Sequence, residues 1–229
     1  MEKTDLLIVG SGAAGFTASM AAREAGVKNL IMIEKMAVPG GNSQLAAGGM
    51  NAAGTKFQKQ AGIEDNPQLM FDDTMKGGKN VSNPDLVKVL ADKSNESIEW
   101  LDKHGATLSH VGQGGGSSAA RMHGPAGGAF VGPNLSKFFR DEAAKSNLDL
   151  RLNTKLVKLI KGPNGEITGA LVRGFYFRTN VRTKLLNQSR ICADAAGSKN
   201  NCLRINLINA SVLSFNQRPG NFSVRSLSF

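Results

Sequence analysis

The sequence predicts an α/β fold of the Rossmann-like, dinucleotide-binding type, and three observations predict it. The apolar run Leu6-Leu7-Ile8-Val9 leads directly into Gly10-Ser11-Gly12-Ala13-Ala14-Gly15 and an alanine-rich stretch. A second apolar run, Leu30-Ile31-Met32-Ile33, ends in Glu34, nineteen residues past Gly15. Beyond it, helical and strand-like periodicities follow one another, as in a parallel sheet with crossover helices. A G-x-G-x-x-G string alone is weak. Here it follows a strand, opens a helix and is followed by an acid at the right distance.

In order along the chain, strand 5–9 feeds helix 14–26, which Gly26 closes, and strand 29–34 follows. The glycine- and alanine-rich segment 37–62 is too long for a plain connection and is expected to lie on a ligand. Asn66-Pro67 and Asn83-Pro84 each read as an N-cap followed by proline at the first helical position. The second of these opens a helix from Pro84 to His104, with Leu86, Val87, Leu90, Ile98 and Leu101 at apolar spacing and Gly105 as the stop. Residues 105–132 show little periodicity and are expected to form a long loop. A helix then runs from Pro133 to Ser146. A hairpin closes the series, with strand 148–160, the turn Gly162-Pro163-Asn164-Gly165 and strand 166–172. This order suits a parallel sheet carrying a small antiparallel piece.

Composition narrows the function classes. The 229 residues suffice for one large domain or two small ones. No apolar run is long enough to span a bilayer, so no membrane insertion is expected. With only Cys192 and Cys202, neither a disulfide framework nor a cysteine zinc site is indicated, and no metal ligand set is assigned. The net charge of +10 is unevenly spread: residues 1–173 hold 20 Lys/Arg against 17 Asp/Glu, and residues 174–229 hold 8 against 1. The basic excess belongs to the end of the chain rather than to a folded stripe, so nucleic acid is not an expected partner. The first strand begins right after Met1-Glu2-Lys3-Thr4, which leaves no room for a signal peptide and favours the cytoplasm.

Each glycine of the first loop has a physical task. Gly10 allows the tight turn, Gly12 lets backbone approach a pyrophosphate, and Gly15 lets the helix pack on the strand. The helix start offers unpaired N–H groups to phosphate, and Glu34 is placed to accept hydrogen bonds from an adenosine ribose. The second glycine segment, Gly40-Gly41-Asn42-Ser43-Gln44-Leu45-Ala46-Ala47-Gly48-Gly49-Met50-Asn51, selects the cofactor. A nicotinamide protein needs no such return of the chain, whereas a flavin would be met by these backbone N–H groups and the Ser43 hydroxyl.

That segment, together with Phe71-Asp72-Asp73-Thr74-Met75-Lys76-Gly77-Gly78, Asp85-Leu86-Val87-Lys88-Val89-Leu90 and Arg151-Leu152-Asn153-Thr154-Lys155-Leu156-Val157, resembles the FAD-dependent fumarate reductase/succinate dehydrogenase flavoproteins. The resemblance is to their soluble branch, the flavoprotein domain of flavocytochrome c fumarate reductases and related 2-enoate reductases, and covers residues 5–173. It implies a glutathione reductase-type FAD-binding domain with the beginning of a capping domain. It also implies that Gly10, Gly12, Ala14 and Gly15 meet the pyrophosphate and Glu34 the ribose. Asn42, Ser43, Ala47 and Gly48 would lie along the flavin, and the backbone at Leu156 or Val157 would meet the adenine. Gly48, Gly49 and Met50 would lie near a bound dicarboxylate. Membrane-bound relatives tether FAD through a histidine in this loop; the histidines here are His104, His110 and His123, so a non-covalent flavin is expected.

The implied reaction is reduction of fumarate to succinate by hydride transfer from flavin N5, with electrons from a separate haem or iron–sulfur donor. Urocanate or another enoate is the alternative substrate, and a non-catalytic FAD-binding fragment the alternative role. Soluble members of the family are often periplasmic, which sets that compartment against the cytoplasm if a leader precedes this start. Arg121 and His123, within Arg121-Met122-His123-Gly124-Pro125, are the candidates for clamping a carboxylate. The other reading is that they anchor a surface loop of the capping region, since the family's main acid and carboxylate clamp come beyond the end of this chain. His104 and His110 are expected to serve a helix C-terminus or to be solvated. Met32, Met36 and Met50 are expected to pack.

After Gly174 the family pattern breaks. Residues 174–229 form an aberrant or divergent basic tail, in which Ala193–Asn201 and Ser214–Gly220 resemble family segments with residues changed. Reading-frame slips would account for both the echoes and the jump in charge.

Overall fold

The expected strand 5–9 is present as β2 (Leu6–Val9), and an unexpected strand, β1 (Glu2–Thr4), precedes it across a bend at Asp5 and belongs to a different sheet. The computed structural model describes residues 2–174 and the strand backbone of 178–183. β2 feeds α1 (Ala13–Glu24), and β3 (Leu30–Ile33) returns parallel to β2, with Leu6 opposite Leu30 and Val9 opposite Ile33. All four residues of β3 are buried, as a central parallel strand requires. β7 (Asp149–Arg151) adds parallel to the other edge of β3, giving the order β2-β3-β7. The expected βαβ unit is present.

The chain then forms a 3-10 turn over Gly41–Leu45, β4 (Met50–Asn51) and α2 (Lys56–Gln60), so 37–62 is more than a ligand-wrapping loop. Helices α3 (Pro67–Gly77) and α4 (Pro84–Lys103) start where the two Asn-Pro pairs predict. The Asn66 side chain accepts from Leu69 N–H at 2.9 Å, and the Asn83 side chain accepts from Asp85 N–H at 2.9 Å. Gly105, at φ +88°, ends α4 in the left-handed region that favours glycine. Ala53, Met70 and Ala91 form a buried cluster with Phe71 packed against it.

Residues 105–132 are not one loop. They contain β5 (His110–Gly112) and β6 (Met122–Gly124), which make an antiparallel sheet in the order β4-β6-β5. Strands of two and three residues are too short to show alternation in sequence, which is why they were missed. Helix α5 (Val131–Lys145) starts two residues before Pro133, which its first turn accommodates because no intrahelical N–H bond is required there.

The expected strand 148–160 is also corrected. It is interrupted at Leu152–Thr154, with Asn153 at φ +51°, and its two parts serve two sheets. β7 belongs to the parallel sheet. β8 (Lys155–Lys161) pairs antiparallel with β9 (Ile167–Arg173), then β10 (Arg178–Thr183) and β1 complete the order β8-β9-β10-β1. Lys155, Lys158 and Lys161 lie along the edge strand β8, which discourages further pairing there. Ile31 and Ile33 of β3 pack with Ala170 and Val172 of β9, and Leu7 and Leu156 close the cluster.

The structure divides into two units. Among the described residues, one holds Met1–Ser43 with those from Ser136 onward, so it carries both the parallel and the β8–β10 sheets; the other is built on Gln44–Leu135, with α2–α4 and the β4-β6-β5 sheet. Strand β10 falls in the expected basic tail; the rest of that segment, with its two family echoes, lies outside the described residues.

Candidate functional site

In the first unit the glycines of the β2–α1 turn have separate roles. Gly10 takes φ +97°. A Cβ on Gly15 would overlap the Gly10 carbonyl oxygen, so the helix can approach the turn only with glycine there. A Cβ on Gly12 would fill a space bounded by Ser43 Oγ at 3.5 Å and the Gly40 carbonyl at 3.9 Å. Gly12 is the N-cap of α1 and supplies no side-chain cap. Ser43 Oγ takes that place by accepting from Ala13 N–H at 3.1 Å. The N–H groups of Ala14 and Gly15 precede the first helical bond, from Phe16 to Gly12, and have no intrahelical partner. Stacking of Phe16 on Phe139, at 5.7 Å between centroids, fixes the helix from its buried side.

Glu34 sits at the end of β3, nearly buried. Its Oε2 accepts from Ser11 N–H at 2.9 Å and Ser11 Oγ at 2.8 Å, and its Oε1 accepts from Met36 N–H at 2.9 Å. Burial pushes this carboxyl up, yet the Met36 and Ser11 N–H groups, the Ser11 hydroxyl and the charge of Lys35 outweigh it and hold the group below its usual range. The second glycine segment is bound to the first: Gly40 N–H donates to the Ser11 carbonyl at 3.0 Å, and Gly41 approaches Gly12. Asn42 is exposed beside them. Thr154 N–H donates to the Glu34 carbonyl at 2.7 Å, so the start of β8 is held to the same corner. On β8, Leu156 pairs with Val172 and Lys158 with Leu171, which leaves Val157 in a bulge outside the ladder.

Ala47, Gly48 and Gly49 belong to the second unit. Ala47 and Gly48 are exposed, and the strip is tied down at its ends by Gly132 N–H on the Ala46 carbonyl and Val131 N–H on the Gly48 carbonyl. Gly49 lies hard against β6, where a Cβ would stand 2.5 Å from the His123 carbonyl oxygen.

Arg121 and His123 are not on a surface loop. Both are buried, at the centre of a polar network within the second unit. Arg121 pairs with Asp65 at 3.0 Å and Asp73 at 2.9 Å. Asp73 also accepts from the backbone and hydroxyl of Ser118, and Gln58 Nε2 donates to Asp65 and to the Ala120 carbonyl. His123 Nδ1 lies 2.8 Å from the Arg121 carbonyl and must donate to it, which leaves Nε2 to accept from the Thr55 hydroxyl at 2.7 Å. Burial pushes the His123 ring down, against the Arg121 and Met50 backbone contacts and the charge of Asp65 that pull it up. A neutral imidazole with both nitrogens engaged anchors a strand better than it clamps an anion. Sequence reasoning missed Ser11, Thr55, Gln58, Asp65 and Asp73. The string Thr55-Lys56-Phe57-Gln58 carried a signal, since it forms a complete capping box at α2. His104 caps the end of α4, with Nδ1 2.7 Å from the Trp100 carbonyl. His110 is exposed on β5. Met32 is fully buried, while Met36 is 55% exposed and so does not pack as expected. Among the described residues no His, Cys, Asp or Glu cluster could hold a metal ion.

A strand–turn–helix with an open cradle over Gly12, unpaired helix N–H groups and an ionised acid at the end of the second strand defines a dinucleotide-binding protein, and its residues fit FAD. The chain matches the FAD binding domain family over residues 5–209 and belongs to it; FAD is its cofactor. It is 49% identical over 175 residues to the fumarate reductase (cytochrome) of Shewanella frigidimarina, covering 76% of this chain and 30% of that protein. It is 35% identical over 167 residues to the urocanate reductase of Eggerthella lenta, covering 72% of this chain and 27% of that protein. The solved open conformation of a flavocytochrome c3 fumarate reductase superposes with a TM-score of 0.76 at 40% identity, covering 80% of this chain and 32% of that one. The chain therefore spans about a third of the length of these relatives. No helix among the described residues is long and apolar enough to cross a membrane.

Proposed function

We propose that this chain is the FAD-binding portion of a flavoprotein that reduces fumarate to succinate. The observation that carries the substrate is the 49% identity to a fumarate reductase, against 35% to a urocanate reductase. Bound FAD would supply a hydride at flavin N5. The chain's own residues supply the binding: the Ala14 and Gly15 N–H groups for the pyrophosphate, Glu34 for the ribose, and the unladdered backbone at Val157, next to Leu156, for the adenine. Asn42, Ser43, Ala47 and Gly48 are assigned to the flavin, and Gly48 and Gly49 to the substrate side. Arg121 and His123 hold β4 (Met50–Asn51) rather than the substrate. The flavin is held non-covalently. Because the relative's name joins its reductase to a cytochrome, a haem donor is the proposed electron source, with an iron–sulfur protein second, and the periplasm the proposed compartment.

The purified chain should show flavin absorbance that denaturant releases in full. Turnover is then assayed with fumarate and with urocanate, using a reduced viologen as donor. Fumarate turnover supports the reductase. Bound flavin without turnover assigns the chain a binding role that needs residues beyond it, and failure to bind flavin overturns the reading.

A further inference from the structure

The dinucleotide fingerprint leaves the residue between its first two glycines open. The turn therefore does not explain why a hydroxyl stands at Ser11. Ser11 is fully buried at 0% exposure, so it does not face a ligand. Its hydroxyl donates to Glu34 Oε2 at 2.8 Å, and its N–H reaches the same oxygen at 2.9 Å. The hydroxyl oxygen also receives Gly40 N–H at 3.3 Å, while the Ser11 carbonyl accepts the same N–H at 3.0 Å. One side chain thus joins the acid at the end of β3, the first glycine loop and the start of the second.

We infer that Ser11 is a positioning residue for FAD: its hydroxyl fixes the Glu34 carboxylate and locks the second glycine segment onto the first. The inference rests on the reading of Glu34 as the ribose ligand. A glutamate has rotamers to lose on binding, and a carboxylate already fixed in place loses less. Met36 N–H holds the other oxygen, so Glu34 is gripped on both sides yet keeps acceptor capacity on Oε1. Around this carboxylate, Lys35 acts as a favourable charge, while Arg151 on neighbouring β7 is engaged with Glu2 and Asp149. Removing the hydroxyl therefore takes away both an orienting bond and a stabiliser of the anion.

The test is FAD titration of the full chain by quenching of flavin fluorescence, from about pH 4 to 8, a range spanning the carboxylate values. Ser11→Ala should weaken FAD about tenfold, the scale of one hydrogen bond to a charged group. It should also move the acid limb of binding to higher pH, which a merely structural loss would not do. Glu34→Gln should bind weakly with no acid limb. If Glu34→Gln binds like the wild type, the ribose reading fails. If Glu34→Gln is weak but Ser11→Ala matches the wild type in affinity and limb, the positioning role of Ser11 is wrong. Ser11→Cys keeps the size with a poorer donor, and carries the same comparison should Ser11→Ala not fold.

Discussion

Gly12 and Gly15 stand three residues apart in one turn, yet alanine should have different effects at each. At Gly15 the added carbon meets the Gly10 carbonyl, which is backbone on the far side of the same turn, so nothing flexible can give way. Gly15→Ala should lower stability by about 1–3 kcal/mol, the range for overpacking, and FAD binding should fall with it. At Gly12 the nearest atom is Ser43 Oγ at 3.5 Å, an ordinary contact. Gly12→Ala should unfold at nearly the wild-type urea midpoint without FAD, yet bind FAD poorly because the cradle is filled. Equal losses of stability in the two variants would contradict this division. Both glycines were legible in the sequence. Ser11 was not, because the pattern attaches no meaning to its position and its partners, Glu34 and Gly40, are more than twenty residues away.

The elements of the second unit are tied together by buried charge as well as by apolar burial. Asp65 precedes α3, Asp73 lies on it, and Arg121 leads into β6, so one guanidinium ties the helix to the small sheet. Ala52 N–H on the Arg121 carbonyl and the Met50–His123 pairing extend that tie to β4. Breaking a buried pair from one side leaves an uncompensated charge. Arg121→Met should therefore cost about 3–5 kcal/mol in urea unfolding. Asp92→Asn, which breaks the exposed Lys88–Asp92 pair on α4, should cost under about 1 kcal/mol. A small loss for Arg121→Met would instead favour a surface role for the arginine. Helices α3 and α4 could be read directly, since Asn-Pro caps are local signals. The β4-β6-β5 sheet could not, because its strands are only two or three residues long and the β4–β6 pairing joins residues about seventy apart.

Across the whole molecule, the βαβ unit and the hairpin were visible in apolar periodicity, while the assignment of strands to sheets was not. Asn153 redirects the chain from one sheet to another within an apparently continuous strand, and the short β1 before Asp5 joins a sheet other than that of β2; only tertiary pairing exposes either. The same long-range assembly sets how stability responds to pH. Glu34 and Asp73 are both held below their usual range, despite the burial that opposes it, by hydrogen bonds from Met36, Ser11 and Ser118. Their contribution is present above about pH 4 and is lost only as pH falls further. His123 acts at higher pH. The folded state keeps its ring neutral, so as pH falls below the ordinary histidine value of about 6.5 the unfolded chain takes up a proton that the folded one refuses. Stability should accordingly decline between about pH 7 and 5, by about 1.4 kcal/mol for each unit by which the ring is depressed. Urea midpoints at about pH 7.5 and 5.5 measure it. His123→Gln should be less stable at both values, because Thr55 and the Arg121 carbonyl lose their fitted partner. Its midpoint should nevertheless change less between them than that of the wild type. An unchanged pH slope in His123→Gln would mean that the imidazole takes up its proton as readily in the folded protein as in the unfolded chain, and the neutral anchor would have to be given up.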